Sequence, residues 1–137
     1  MLGPGTVIAK YVILNPLHTG ERAMVYRARD MVAQSDVALK LFVGELQSAS
    51  ALKSSLEREF MARQFQHAGA VPAREIVVHN RTLGIASQLV DGTSLRGMMD
   101  QERPGPWRPT ETLNLLKPVM EMMAGAHGAG IIHGNIT

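Results

Sequence analysis

The chain has 137 residues, enough for one domain of ordinary size, and its 45% apolar and 19% charged residues exclude a disordered polymer. A net charge of +2, from 14 basic and 12 acidic residues with no basic stripe interleaved with aromatics, gives no reason to expect nucleic acid as a partner. The absence of cysteine excludes disulfides, thiolate metal sites and Cys nucleophiles, and three Phe, two Tyr and one Trp leave the core to aliphatic side chains and Met.

No cationic segment precedes the first apolar run, so no leader is expected. The longest apolar tract, 113–132, is interrupted by Lys117, Glu121 and His127, so no membrane insertion is expected and the segment reads as cytoplasmic.

In chain order, "YVILNPL" reads as a strand that ends at the turn "HTGER". "AMVYRAR" follows as a second strand, with Met24, Tyr26 and Ala28 on one face and Val25 and Arg27 on the other. "MVAQSD" connects it to a third strand, "VALKLF", in an antiparallel meander. A helix is predicted over 51–66, with Ser50 as its N-cap. "AGAVPA" breaks it. "REIVVHNRTLGIASQLV" reads as a hairpin turning at His79 and Asn80. "DGTSLRGMMDQ" gives a turn and a short helix, and the Pro/Gly-rich "ERPGPWRP" a loop. "TETLNLLKPVMEMMAGAHGAG" reads as a long helix capped by Thr110, ended by Gly and bent or loosened at Pro118. "IIHGNIT" closes the chain, and there is no internal repeat or low-complexity tract.

Two charged residues fall on apolar faces. Alternation puts Lys40 with Ala38 and Phe42 on one side of its strand, opposite Val37, Leu39 and Leu41. Its stem can pack while its ammonium reaches outward. On the helix, Leu52, Leu56 and Phe60 define the inward face, and Glu59 falls beside them. A carboxylate there needs a partner. Arg63, four residues on along the same helix, is one candidate, and Lys40, across from it if the helix packs on the sheet, is the other.

Strand, Gly-containing turn, strand, "VALK", then a helix with "REF" resembles the N-terminal lobe of the bacterial, eukaryotic-like Ser/Thr protein kinases. The resemblance runs through the whole chain. "VYRARD" matches the second strand and "VALK" the third, so Lys40 takes the place of the phosphate-pairing lysine. Glu59 in "LEREF" takes the place of its partner on helix αC. "FQHAGAV" matches the exit from that helix. "LGIASQLVDGTSLRGMM" matches the fifth strand, hinge and helix αD, with Ser87 at the gatekeeper position and Gln88 to Val90 in the hinge. "LLKPVMEMMAGAHGAGIIHGNIT" matches helix αE and the catalytic loop.

The resemblance implies an α+β fold: a five-stranded antiparallel sheet with αC and the hinge over 1–93, then αD, αE and a catalytic-loop remnant of an incomplete C-lobe over 94–137. It implies ATP between the lobes, with adenine on Ala38 and the hinge backbone near Leu89 and Val90, Val25 above it, and Gly20, Lys40 and Glu59 completing the cofactor site.

The sequence departs from the kinase pattern where catalysis is concentrated. At the three glycine positions of the nucleotide loop, "HTGERAMV" has His18, Gly20 and Ala23, so only Gly20 remains. Glu21 at the tip repels phosphate unless Arg22 offsets it. Where kinases read His-Arg-Asp-Leu-Lys, this chain reads His133-Gly134-Asn135-Ile136-Thr137. Asn135 is neutral and cannot take the proton that the Asp accepts, and loss of a general base costs about 10²- to 10⁴-fold. His133 reads as a packing residue. Neither the metal-binding Asn nor Asp-Phe-Gly occurs among these residues, so no catalytic residue is assigned and Mg²⁺ is not expected from this chain alone.

The expectation is therefore a pseudokinase-like signalling domain, catalytically impaired, binding ATP weakly and acting as a regulatory or protein-interaction module. Its rivals are the N-terminal fragment of an active Ser/Thr kinase, which transfers phosphate from ATP to protein hydroxyls, and a dimerisation module with no nucleotide. Helix αE carries Leu113, Leu116, Met120 and Met123 in one stripe, widened by Leu115, Val119 and Met122. Either a protein partner or a second copy covers it, or αE folds back on the sheet and αD.

Overall fold

Alternating burial along β3 (Ala23–Asp30) and β4 (Ser35–Phe42) organises the fold: Tyr26, Ala28, Val37, Leu39 and Leu41 point into one core, while Arg27 is exposed. The structure is a computed structural model that describes residues 2–21, 23–42, 49–80, 82–102 and 105–132, without the side chains of 49–53, 55 and 102. The remaining elements are β1 (Val7–Ile8), β2 (Tyr11–Thr19), α1 (Ala49–Ala62), β5 (Ala73–His79), β6 (Thr82–Gln88), α2 (Leu95–Gly97), a π-helical turn over Met98–Glu102, and α3 (Pro109–Gly128).

All strand pairs are antiparallel, in the order β1-β2-β3-β4-β6-β5. The five expected strands are present, and the sheet gains a sixth, β1. Ala9, at φ 53, turns the chain so that Ile8 pairs with Tyr11 and is 6% exposed. Along β2 burial alternates only through Ile13. Register shifts between Ile13 and Asn15 and between Pro16 and His18 mark two β-bulges, and Leu14 and Leu17 stand exposed.

The sheet curls. The hydroxyl of Tyr11 on β2 donates to Glu75 on β5, although four strands' spacing in the sheet order separates the two. Lys10 bridges Glu75 at 3.0 Å and Asp30 at 3.3 Å, and the Ala9 N–H donates to His79 Nδ1 at 3.1 Å. Inside the curl lie Ile8, Tyr11, Ile13, Tyr26, Ala28, Val37, Leu39, Leu41, Val77 and Ala86. A second cluster, Leu56, Ala73 and Ile85 with Phe42, Phe60, Ile76 and Leu83, fills the space under α1.

Several sequence expectations shift. Helix α1 begins at Ala49, so Ser50 lies inside it rather than capping it. It ends at Ala62 rather than Gln66, because the N–H groups of Gln64 and Phe65 bond to carbonyls three residues back. Leu56 and Phe60 face inward as expected, while the Leu52 side chain lies outside the described residues. His79 is the last residue of β5, paired with Thr82, so the hairpin turns one residue later than expected, through Asn80 at φ 53.

Helix α3 is capped by Arg108 and not Thr110. Pro109 occupies the first helical position, and the Arg108 N–H bonds to Glu111 Oε2 at 3.1 Å. The helix runs through Pro118 and closes with bonds from Gly130 to His127 and from Ile131 to Ala126, with Gly130 at φ 74.

Residues 1–65 with 71–90 form one compact unit, and 66–70 with 91–137 form another. In the second, Gly69 packs on Met122, where a Cβ would come within 3.2 Å. On α3, Leu115, Met122 and Met123 are half-buried, whereas Leu113, Leu116, Val119 and Met120 are exposed. No helix among the described residues is long and apolar enough to cross a membrane.

Asp30 is 3% exposed and accepts N–H bonds from Val32 and Ala33, both at 2.9 Å. The Ala33 N–H, then Val32 and Lys10, hold its carboxyl below the ordinary carboxylate value, against the opposing effect of burial. A depressed folded value means its stabilisation is present above the ordinary range and lost as pH falls through the folded value. Asp30→Asn should therefore destabilise the protein at neutral pH. That difference should shrink from about pH 5 downward in urea denaturation series.

Candidate functional site

The register across three strands assembles the site. Lys40 on β4 lies opposite Val25 on β3 and Ile85 on β6, and Ala38 lies opposite Arg27 and Ser87. Directly paired residues share a face, so Val25, Ala38, Lys40 and Ser87 line one side of the sheet. Strands β4 and β6 meet closely there because residue 84 is glycine. A Cβ at Gly84 would lie 2.5 Å from the Lys40 carbonyl oxygen and 2.7 Å from Leu41 Cδ2.

Helix α1 brings Glu59 to this face by burying Leu56, which is 2% exposed, against Ala73 and Ile85. Lys40 Nζ then reaches both carboxylate oxygens of Glu59, at 2.9 and 3.0 Å. The alternative partner is also engaged: Arg63 Nη2 donates to Glu59 Oε1 at 2.9 Å. The two expected pairings coexist around one carboxylate. Arg63 Nη1 lies 3.4 Å from the hydroxyl of Ser87, which is 5% exposed, so the chain of contacts runs Lys40, Glu59, Arg63, Ser87. Lys40 Nζ also sits 5.0 Å from the centroid of the Phe42 ring. The Lys40, Glu59 and Arg63 side chains are 29%, 28% and 35% exposed. Apolar stems are covered while the charged ends stay within reach of solvent.

The end of α1 is tied to the sheet a second way. The Ala73 N–H donates to the Arg63 carbonyl at 3.4 Å, and Gln64 Nε2 donates to the Ala73 carbonyl at 3.4 Å.

The other expected site residues are placed less closely. Val25 and Ala38 are half-buried beside Lys40 on the shared face. Gly20 sits at the tip of the β2–β3 hairpin, where its N–H donates to the Ala23 carbonyl at 3.0 Å. A Cβ on Gly20 would come within 3.4 Å of His18 Nε2, so the imidazole lies against the glycine. Leu89 is half-buried and Val90 is 61% exposed, just beyond β6. Arg22, His133, Gly134, Asn135 and Thr137 lie outside the described residues. Among the described residues, no group of three His, Asp or Glu side chains could hold a metal ion. The Ser87 contact was not foreseen from the sequence. The four-residue spacing of Glu59 and Arg63 was the available signal, and it read as an alternative to Lys40 instead of an addition.

No protein-family model matches the chain. In sequence it is similar to the serine/threonine-protein kinase PknD of Mycobacterium tuberculosis, 26% identical over 133 residues that cover 96% of this chain and 20% of the relative. PkaB of Streptomyces coelicolor, also a serine/threonine-protein kinase, is 33% identical over 101 residues covering 73% of this chain and 24% of the relative. The chain thus spans about a fifth to a quarter of the length of these relatives. In structure, the whole chain superposes on 56% of the kinase domain of M. tuberculosis PknI, with a TM-score of 0.85 at 20% identity. The apo form of PpkA-294 matches with a TM-score of 0.81 at 21% identity.

Ion pairs with this much exposure contribute about 0–1 kcal/mol each. A double-mutant cycle on Lys40→Ala and Glu59→Ala, read by urea denaturation, should give a coupling of about 0.5–1 kcal/mol. A coupling near zero would mean that Arg63 alone satisfies the carboxylate.

Proposed function

We propose that this chain, homologous to the N-terminal part of bacterial Ser/Thr protein kinases and built on their kinase-domain fold, is a catalytically impaired kinase-like domain that binds ATP weakly and acts through protein contacts. The closed Lys40–Glu59 pair carries the reading. In kinases the equivalent pair holds the lysine toward the nucleotide phosphates. Its presence beside half-buried Val25 and Ala38 supports a nucleotide site on this face. Two of the three Lys40 N–H groups point at Glu59, which leaves donor capacity for a phosphate oxygen. Ala38 and Val25 would take the adenine ring, and the backbone near Leu89 and Val90 would take its polar edge.

The impairment is read from side-chain chemistry. Asn135 stands where kinases place the Asp that receives the substrate proton, and an amide cannot accept it. The Gly20 N–H is engaged with Ala23 within its own hairpin, and His18 and Ala23 replace flexible glycines, so the phosphates gain little from that loop. A second reading, the N-terminal portion of an active kinase, draws on the similarity to PknD and PkaB and on the short share of each that the chain spans.

Calorimetric titration should show ATP binding with a Kd of about 0.1–1 mM, equivalent to about −4 to −5.5 kcal/mol, and Lys40→Ala should weaken it at least about tenfold. Absence of heat with the wild-type chain would sink the nucleotide reading. Incorporation of γ-phosphate into a protein acceptor would overturn the impairment and favour the second reading.

The exposed Leu113, Leu116, Val119 and Met120 of α3 support contact with a protein partner, a second copy of the chain included. Light scattering at rising concentration should show association that Met120→Glu abolishes. A strict monomer with wild-type sequence counts against the second copy.

A further inference from the structure

We infer that Arg63 sets the charge of the phosphate site: by sharing Glu59, it leaves Lys40 with positive charge uncompensated, and so selects a polyphosphate ligand over the bare nucleoside. The inference rests on the nucleotide reading and names the group that makes the site anion-selective.

Lys40 and Glu59 alone would be electrically neutral. An arriving phosphate would then compete with the carboxylate for the same ammonium. Arg63 changes the sum to +1, because its Nη2 donates to the same Oε1 that Lys40 contacts, both at 2.9 Å. Its position is fixed from two sides. Glu59 lies four residues before it on α1, and the Ser87 hydroxyl, on β6, lies 3.4 Å from Nη1. A guanidinium keeps its charge across the accessible pH range, and its planar fork suits two oxygen acceptors at once.

The same sheet face carries a second set of the same kind. Asp36 on β4 lies opposite Arg29, and Ala38 lies opposite Arg27, so all three charged residues share the face of Lys40. Arg27 Nη2 meets Asp36 Oδ2 at 2.6 Å and Arg29 Nη1 meets Oδ1 at 3.0 Å. Here too one carboxylate is divided between two arginines. On this face the four basic side chains Arg27, Arg29, Lys40 and Arg63 outnumber the two acidic ones, Asp36 and Glu59, by two. A chain whose overall charge is only +2 thus places an equal excess on these six side chains. That distribution suits a ligand carrying several negative charges.

The test titrates the full chain with ATP and, separately, with adenosine, for wild type, Arg63→Met and Arg63→Lys. Arg63→Met should weaken ATP about three- to tenfold, leave adenosine unchanged, and lose most of its effect at about 0.5 M salt, where exposed charges are screened. Arg63→Lys, which keeps the charge and separates any folding defect from an electrostatic one, should retain most of the ATP affinity. Equal losses for ATP and adenosine, no loss for ATP, or equal losses in the Met and Lys variants would each overturn the role of Arg63 while the nucleotide reading stands. If wild type binds neither ligand, the nucleotide reading falls and this inference with it.

Discussion

The Glu59 carboxylate is the point on which the arrangement turns, because it accepts from a strand and from its own helix at once. The Lys40 bond fixes α1 against the sheet. The Arg63 bond is local, reaching back four residues from just past the end of α1, and gives the carboxylate a second partner. Neither contact adds much to stability at this exposure. Their importance is geometric. Three charged ends are held within hydrogen-bond distance on one face of a rigid sheet, by Leu56 and Ile85 packing beneath them. The apolar contacts supply the energy, and the polar contacts select one rotation of the helix among those that burial alone would allow.

That selection depends on features away from the charges. Gly84 lets β6 approach the backbone of Lys40 so closely that any Cβ would collide with it. The curl of the sheet, fastened where Tyr11 and Lys10 meet Glu75, encloses one core and leaves the opposite face open to receive α1. Burial together with the hydrogen bond to Glu75 pushes the Tyr11 phenol well above its usual range, so it remains a donor throughout the physiological pH interval. A flat sheet with the same register would keep Lys40 opposite Val25 and lose the enclosed core beneath it.

The strands and the pairing of Lys40 with Glu59 were legible because period-two and period-3.6 burial leave clear marks in the sequence. "VALKLF" alternates cleanly, and a carboxylate beside Leu56 and Phe60 must find a cation. Strand β1 was illegible because two residues are too short for a periodic signal, and its pairing depends on Ala9 adopting a positive φ that alanine rarely takes. The bulges at Leu14 and Leu17 hid for a similar reason: an inserted residue interrupts alternation without a residue type that announces it. The cap of α3 was assigned to Thr110 by residue preference, whereas Pro109 supplied the stronger constraint, since its fixed φ suits the first helical position. In the sequence Arg63 stands as one of two candidate partners for Glu59, and the structure engages both. Sequence spacing cannot express that one carboxylate oxygen can accept from two donors at once, as Glu59 Oε1 does here.

The division of labour between the preserved and altered positions has a physical logic. A lysine held by a glutamate is useful for binding whether or not a proton is later moved, because its charge acts on the ligand in its ground state. A general base matters only as the hydroxyl proton leaves, so on the function proposed above Asn at residue 135 would cost reactivity and not ground-state binding. The glycine loop lies between these extremes. Its N–H groups serve binding and positioning alike, and here the Gly20 N–H is retained by Ala23. On the function proposed above, a site that gave up the proton acceptor and part of the loop, while keeping Lys40, Glu59 and a supporting Arg63, would preserve the interactions that report occupancy and discard those that turn occupancy into transfer.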